Sequence, residues 1–267
     1  MENKKVAELL ERVRATKPLL HHITNFVVMN DTANLSLHIG ALPVMAHAKE
    51  EVEEMVTIAN CLILNPGTLD VQWVQSMNIA GKKANALGIP VVLDPVGAGA
   101  TSYRTTTNLD FLQNLRIAVL RGNQGEIGAL AGAGGKVKGV ESIGDVANIE
   151  SVAAEFAKKY GAVVAITGKR DIIAGADSLY YVDNGHERMA EITGTGCMST
   201  TMVGAFAGVE KDFCLASAAA LACFGLAGEI AARTAAGPAS FRVALLDAVA
   251  NLKPETVLTG ARVTRVK

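Results

Sequence analysis

The sequence predicts an α/β protein, with a mostly parallel central sheet covered by helices on both faces and an antiparallel edge. Three observations carry this. Residues 61–65, 90–94, 117–121 and 163–167 are short apolar runs without polar alternation, as strands buried on both faces require. Each run is closed by Pro or Gly, and the runs alternate with stretches of helical periodicity. Residues 171–176 and 178–182 then read as two strands joined by a tight turn, which supplies the antiparallel edge.

In chain order, residues 6–13 form a surface helix with Val6, Leu9, Leu10 and Val13 on one stripe. Residues 18–25 are strand-like and end in polar groups, and Asn30 or Asp31 is placed to cap a helix running to Ile39. A short strand at 40–45 and a helix at 49–59 follow. Between the apolar runs the helices fall at 69–87, 105–115, 124–130 and 148–160, with a loop at 132–144. Three helical segments reach Leu252, and the tail 257–266 reads as a last short strand. No linker, internal repeat or low-complexity block divides the chain, so residues 1–267 read as one domain.

Half of the 267 residues are hydrophobic and only 4% aromatic, so the apolar mass is aliphatic and suits closely packed helices. The net charge of −1 offers no footprint for nucleic acid or an anionic membrane surface. Cys61, Cys197, Cys214 and Cys223 form no Cys-x-x-Cys pair and have no His at ligand spacing, which argues against a zinc site or disulfide framework and for a reducing cytoplasm. The amino terminus leads into an amphipathic pattern rather than an apolar signal core. Residues 213–228 are almost free of charge, but they fall about a turn short of a membrane span and Glu229 and Arg233 follow closely, so burial is expected instead.

Ligands of parallel sheets bind beyond the carboxyl ends of the strands, which sets Asn65, Asp94, Arg121, Asn123 and Thr167 along one rim. Residues 191–201 (Glu-Ile-Thr-Gly-Thr-Gly-Cys-Met-Ser-Thr-Thr) stand before a long apolar stretch, as a loop that opens a helix would. Gly194 and Gly196 let a charged ligand approach a helix end rich in free N–H groups. Cys197 would sit in that field, which lowers a thiol pKa. An ordinary capped glycine loop explains the stretch equally well on its own. Asp94 and Glu126 at one rim suit Mg²⁺, which takes a few carboxylates, waters and phosphate oxygens. Taken singly, Asp94 is also a turn former before Pro95, and Glu126 an acid favoured by a helix dipole. Familiar alternatives fail. Lys136 is followed by Val137, which breaks a P-loop; residues 194–199 end in Ser, far from the first strand, which breaks a dinucleotide fingerprint; and no Gly-x-Ser-x-Gly elbow exists.

The ordered set of segments resembles the hydroxyethylthiazole kinase family of thiamine biosynthesis, within the ribokinase-like superfamily. The matching residues are His22-Ile23-Thr24-Asn25, Asn30-Asp31, Ala33-Asn34, 40–45, 64–68, 93–98, 121–126, Ile166-Thr167-Gly168 and 193–197, spread over nearly the whole chain. The resemblance implies a three-layer ribokinase-like fold and ATP-dependent phosphorylation of the primary alcohol of 4-methyl-5-(2-hydroxyethyl)thiazole. It also implies a homotrimer with pockets between subunits. Carried over residue by residue, Met45, Asn25 and Gly194 would contact the thiazole, and Arg121, Thr167 and Gly168 would serve ATP. Asp94 and Glu126 would hold Mg²⁺ directly or through water, and the backbone of Gly194, Thr195, Gly196 and Cys197 would form the anion hole. Most sugar kinases of the superfamily place Asp where this chain has Cys197. A thiol is a weak base for an alcohol, but a loose phosphoryl-transfer transition state does not need early deprotonation. Cys197→Asp is therefore expected to keep or raise activity. His21 and His22 read as strand-end hydrogen bonders, Trp73 as a packing residue, and Lys169 and Arg170 as either phosphate contacts or a solvated turn. Hydroxymethylpyrimidine kinase, a dehydratase of hydrated nicotinamide nucleotides on the same scaffold, and a non-catalytic nucleotide sensor are the rival readings.

Overall fold

In the computed structural model, side chains are described for residues 2–132 and 148–266, and backbone also for 137–138 and 141–142. The chain opens with α1 (Glu2–Thr16), β1 (Leu19–Ile23), α2 (Met29–Ile39), β2 (Leu42–Val44) and α3 (Val52–Thr57). The regular alternation follows: β3 (Cys61–Leu64), α4 (Val71–Leu87), β4 (Val91–Leu93), α5 (Ser102–Asn114), β5 (Val119–Asn123) and α6 (Gln124–Ala131). After a small hairpin of β6 (Val137–Lys138) and β7 (Glu141–Ser142) come α7 (Ile149–Tyr160), β8 (Val163–Thr167), β9 (Asp171–Ala174) and β10 (Leu179–Val182). A 3-10 turn (Glu187–Glu191) leads to α8 (Thr195–Ala207), α9 (Phe213–Ala232), α10 (Pro238–Ala250), α11 (Pro254–Gly260) and β11 (Val263–Arg265).

Nine of these strands form one sheet in the order β11-β10-β9-β8-β5-β4-β3-β1-β2. The six from β8 to β2 are parallel, and β9, β10 and β11 add antiparallel pairs at the other edge. The lack of alternation in the apolar runs has a direct cause. In β3, Cys61 and Ile63 face a layer that includes α1, α2, α8 and α9, while Leu62 and Leu64 face a layer that includes α4 to α7. Both faces are dry, so neither set of positions can be polar.

α9 is apolar all round because it lies inside the first layer, packed against α1, α8, α10 and the sheet. Its small residues allow close approach: a Cβ on Gly225 would lie 2.5 Å from the Asn184 backbone, and one on Gly228 would lie 2.6 Å from Met189 Sδ. That packing sets the path of residues 184–194 into α8.

Three local expectations change. Neither Asn30 nor Asp31 caps α2; both lie in its first turn, and Asp31 is buried and paired with Arg242 of α10. The chain entry is fixed instead by Asn25, whose Oδ1 accepts from Val27 N at 3.0 Å and Val28 N at 3.3 Å. The tail is mostly helical, because Pro254 at the first position starts α11 and only Val263–Arg265 pairs with β10. Within the expected loop at 132–144, β6 and β7 pair; residues 133–136, 139–140 and 143–144 lie outside the described residues.

Candidate active site

The parallel register brings the ends of β1, β3 and β4 to one level. Ile23 pairs with Leu64, and Leu64 with Leu93. Asn65 N donates to Ile23 O at 3.0 Å and Asp94 N to Leu64 O at 2.9 Å, so Asn25, Asn65 and Asp94 leave the sheet side by side. Their side chains form a lateral ladder. Asn25 Nδ2 donates to Asn65 Oδ1 at 2.8 Å, and Asn65 Nδ2 donates to Asp94 Oδ2 at 3.1 Å. Thr200 Oγ1, from α8, donates to the same Asp94 oxygen at 2.7 Å, and Arg121 Nη1 lies 3.6 Å from it. Arg121 also donates to Thr167 Oγ1 at the end of β8. Five adjacent strands are thus linked at their carboxyl ends.

α8 aims its amino end at this ladder. Its N-cap is Gly194, at φ +90°, and it offers no side chain to occupy the N–H groups of the first turn. A Cβ on Gly196 would sit 3.1 Å from Arg121 Nη1, so the guanidinium lies against this bare backbone. Arg121 is buried, and its Nε has no hydrogen-bond partner. Unspent N–H donors, a helix dipole and a fixed guanidinium on one spot make a seat for phosphate. Thr195 Oγ1 ties the turn to Met189 O at 2.9 Å.

Cys197 lies in the same first turn, with Asn25 Nδ2 3.7 Å from its Sγ. The expected lowering of its pKa does not occur. Burial, and then the charge of Asp94, push the thiol up to about 12 against weaker pulls from Asn65, Arg121 and Asn25. The favourable helix end is outweighed because the sulfur is largely withdrawn from water, although the residue is only partly buried, and it faces a carboxylate. Cys197 therefore holds its proton at neutral pH.

Glu126 begins α6 in a capping box. Its Oε2 accepts from Asn123 N at 2.9 Å, while Asn123 Oδ1 accepts from Glu126 N at 2.9 Å. Its Oε1 accepts from Gly97 N at 2.8 Å. The helix-start reading of Glu126 holds, and the same bonds fix its carboxylate near Asp94. Burial, followed by the charge of Asp94, raises Glu126 to about 7. Burial likewise raises Asp94, against the pull of Arg121. Two dry carboxyls that disfavour each other's ionisation suit a hard dication, and each Glu126 oxygen keeps a lone pair for a metal-bound water. Among the described residues no three His, Cys, Asp or Glu side chains converge as a metal cluster, so phosphate and water oxygens would complete the shell.

Asn25, Asp94, Arg121, Glu126, Thr167 and residues 194–197 are therefore brought together. Gly168 N donates to Asp171 Oδ1 at 3.0 Å, which folds the turn after Thr167. Met45 is not part of the ladder. It follows the edge strand β2, three strand spacings from β4, or roughly 14 Å. Sequence reasoning placed Asn65 on the rim without a role and missed Thr200 and Asp171. Asp171 is buried beside Arg121 and pushed up to about 7, first by burial. Thr200 lies one helical turn beyond Gly196, a spacing that could have revealed it. Trp73 packs as expected, donating to Thr24 O at 3.0 Å and stacking on His47. Arg170 pairs with Asp183 at 2.7 Å, away from the ladder.

Sheet order, rim and helix-start phosphate seat together define a ribokinase-like kinase. A solved pyridoxal kinase of Staphylococcus aureus shares the fold at 14% identity, with a TM-score of 0.66 over 94% of this chain and 98% of that one. More specific likenesses go further. The model of the hydroxyethylthiazole kinase family matches residues 10–255, and this chain belongs to that family. A curated hydroxyethylthiazole kinase of Desulforudis audaxviator is 60% identical over 98% of this chain and 96% of its own length. One from Chloroflexus aurantiacus is 58% identical over 99% and 98%. The solved hydroxyethylthiazole kinase protein of Pyrococcus horikoshii superposes with a TM-score of 0.91 at 43% identity, covering 99% of this chain and all of that one.

Proposed function

We propose that this chain transfers the γ-phosphoryl group of ATP to the primary hydroxyl of 4-methyl-5-(2-hydroxyethyl)thiazole, giving the thiazole phosphate used to make thiamine. The carrying observation is the meeting of a bare helix amino end, a buried Arg121 with an unpaired Nε, and Asn25 beside Cys197. The γ-phosphate is assigned to the space between Arg121 and the N–H groups of residues 194–197, with Thr167 and Gly168 holding the rest of the phosphate chain. Asp94 and Glu126 are the residues that would hold Mg²⁺. When bound, the ion offsets the charge of the phosphates and helps orient them. The alcohol oxygen is assigned to the space between Asn25 and Cys197, where it faces the phosphorus and the developing negative charge meets fixed donors. A neutral thiol fits this reading, because transfer through a loose transition state depends on positioning and charge stabilisation more than on a strong base.

We further assign a homotrimer in which Met45 lines a pocket with a neighbouring copy. Its distance from the ladder favours this, as does the apolar exposure of Phe26 and Val27 after β1 and of Leu42 on the edge strand β2. The single nine-stranded sheet supports one catalytic domain over residues 1–267, and reduced, unpaired cysteines suit the cytoplasm.

The test is ADP release with Mg-ATP and either hydroxyethylthiazole or hydroxymethylpyrimidine. Turnover confined to the thiazole is expected. Turnover confined to the pyrimidine would overturn the substrate assignment while leaving the phosphate seat in place.

A further inference from the structure

Asn65 lies between the proposed alcohol site and the proposed metal and phosphate site, and it is only 2% exposed. Its Oδ1 accepts from Asn25 Nδ2 at 2.8 Å and from Gly67 N at 3.1 Å, and its Nδ2 donates to Asp94 Oδ2 at 3.1 Å. An amide can be turned over without changing its shape, so the network must choose the orientation. Here the choice is forced. A flipped Asn65 would face the Gly67 N–H with donors and the Asp94 carboxylate with an oxygen. Asn25 is fixed in the same way, because its Oδ1 is taken by the N–H groups of Val27 and Val28. Only its Nδ2 is left to point at Asn65 and at Cys197 Sγ.

We propose that Asn65 is a positioning residue for phosphoryl transfer: it transmits the polarity of three backbone N–H groups through two amides, so that Asn25 presents a donor to the acceptor alcohol and Asp94 is held with Oδ2 occupied. This rests on the kinase reading above. It has a chemical consequence. Asn25 can stabilise the alcohol oxygen but cannot take its proton, which leaves Cys197 or Asp94 as the nearest protein acceptors. The close fit under the ladder supports a fixed geometry: a Cβ on Gly67 would lie 2.7 Å from Asn25 Nδ2, so the turn after Asn65 is glycine for the sake of the amide above it.

Asn65→Asp is the discriminating variant. It keeps an acceptor for Asn25 and Gly67 but replaces the donor facing Asp94 with a second carboxylate. Wild-type and variant are compared for kcat, for KM toward the thiazole and ATP, and for Tm. The expected result is a kcat lowered by at least about tenfold, with KM for ATP within about twofold, since a lost bond to a charged group is worth that much. A folded variant with kcat within about twofold of wild type would overturn the proposal. So would a lower Tm with kcat unchanged, which is the signature of a merely structural amide. Should the added charge prevent folding, Asn65→Ala removes the donor without adding charge, and the same criteria apply. An inactive wild-type enzyme would instead sink the functional reading, so the two failures are distinguishable.

Discussion

Asn25, Asn65 and Cys197 meet through neutral groups, whereas Asp94, Arg121, Glu126 and Asp171 gather three carboxyls and one guanidinium one to four strands away. In the neutral half, donors and acceptors match within the chain, so the orientation of both amides is fixed before any ligand arrives. In the charged half, one cation faces three buried acids, and burial raises all three carboxyls. The difference assigns each half a task. Under the proposed reading, the neutral half is pre-organised to orient an uncharged alcohol. The charged half is short of positive charge, and binding Mg-ATP would bring a dication to the carboxylates and anions to Arg121 and the start of α8.

The largest effect is expected where the halves meet. Asp94→Asn keeps the shape of the side chain but removes the charge that Arg121, Thr200 and Asn65 all face. A loss of about 10²- to 10³-fold in kcat/KM is expected, comparable to removing a group that positions transition-state charge. Nearly normal turnover of this variant in the ADP assay would remove the charged half from the reaction.

Cys197→Asp asks whether the neutral half must be neutral. The position faces donors from Asn25 and Asn65 and the charge of Arg121, against burial and the charge of Asp94. Burial and Asp94 disfavour charge here, but a carboxylate starts from a far lower pKa than a thiol held near 12 and is the better proton acceptor at neutral pH. Activity equal to or a few-fold above that of wild type is expected, within the ordinary range for a positioned acid or base. A collapse of kcat in folded protein would show that the like charge dominates.

Asp171→Asn tests whether burial without a ligand is a strain on the charged half. The folded-state pKa of Asp171, about 7, lies above the ordinary carboxyl value of 3.8, so the native state keeps its proton longer than the unfolded chain. The associated stability is present below about pH 4 and is lost as pH rises through about 7. The amide can still accept from Gly168 N but carries no charge to bury. The variant should match wild type in Tm near pH 4 and exceed it by about 2–4 °C at pH 8. Equal pH profiles would show that Arg121 fully compensates Asp171.

The two halves were unequally legible. Strand ends alone placed Asn65, Asp94, Arg121, Asn123 and Thr167 on one rim, because continuous apolar runs end abruptly at polar residues. Glycines before an apolar stretch marked the start of α8 for the same kind of reason. Of the neutral half, strand ends placed only Asn65, and without a role. Asn65 looks like any residue before Pro66, and its role arises only when β1, β3 and β4 lie side by side. The turn that Asn25 fixes ahead of α2 was hidden behind two better-looking cap candidates, Asn30 and Asp31. The direction of the Cys197 pKa shift was misread because local sequence reveals a helix end but not the carboxylate 103 positions earlier that faces the sulfur.

The smallest effect is expected at the second arginine of the rim, and it separates proximity in sequence from membership of the site. Arg170 stands three residues after Thr167, where a phosphate contact is plausible from sequence. Its guanidinium instead makes two bonds to Asp183, at 2.7 and 3.1 Å, on an exposed edge of the sheet. Such exposed pairs are screened by solvent and hold little energy. Arg121, buried and with an unpaired Nε, is the arginine with donor capacity to spare. Arg170→Ala should therefore leave kcat and KM for ATP within about twofold of wild type at physiological salt. A several-fold rise in KM for ATP alone would show that Arg170 leaves Asp183 when nucleotide binds, and would extend the charged half to the turn between β8 and β9.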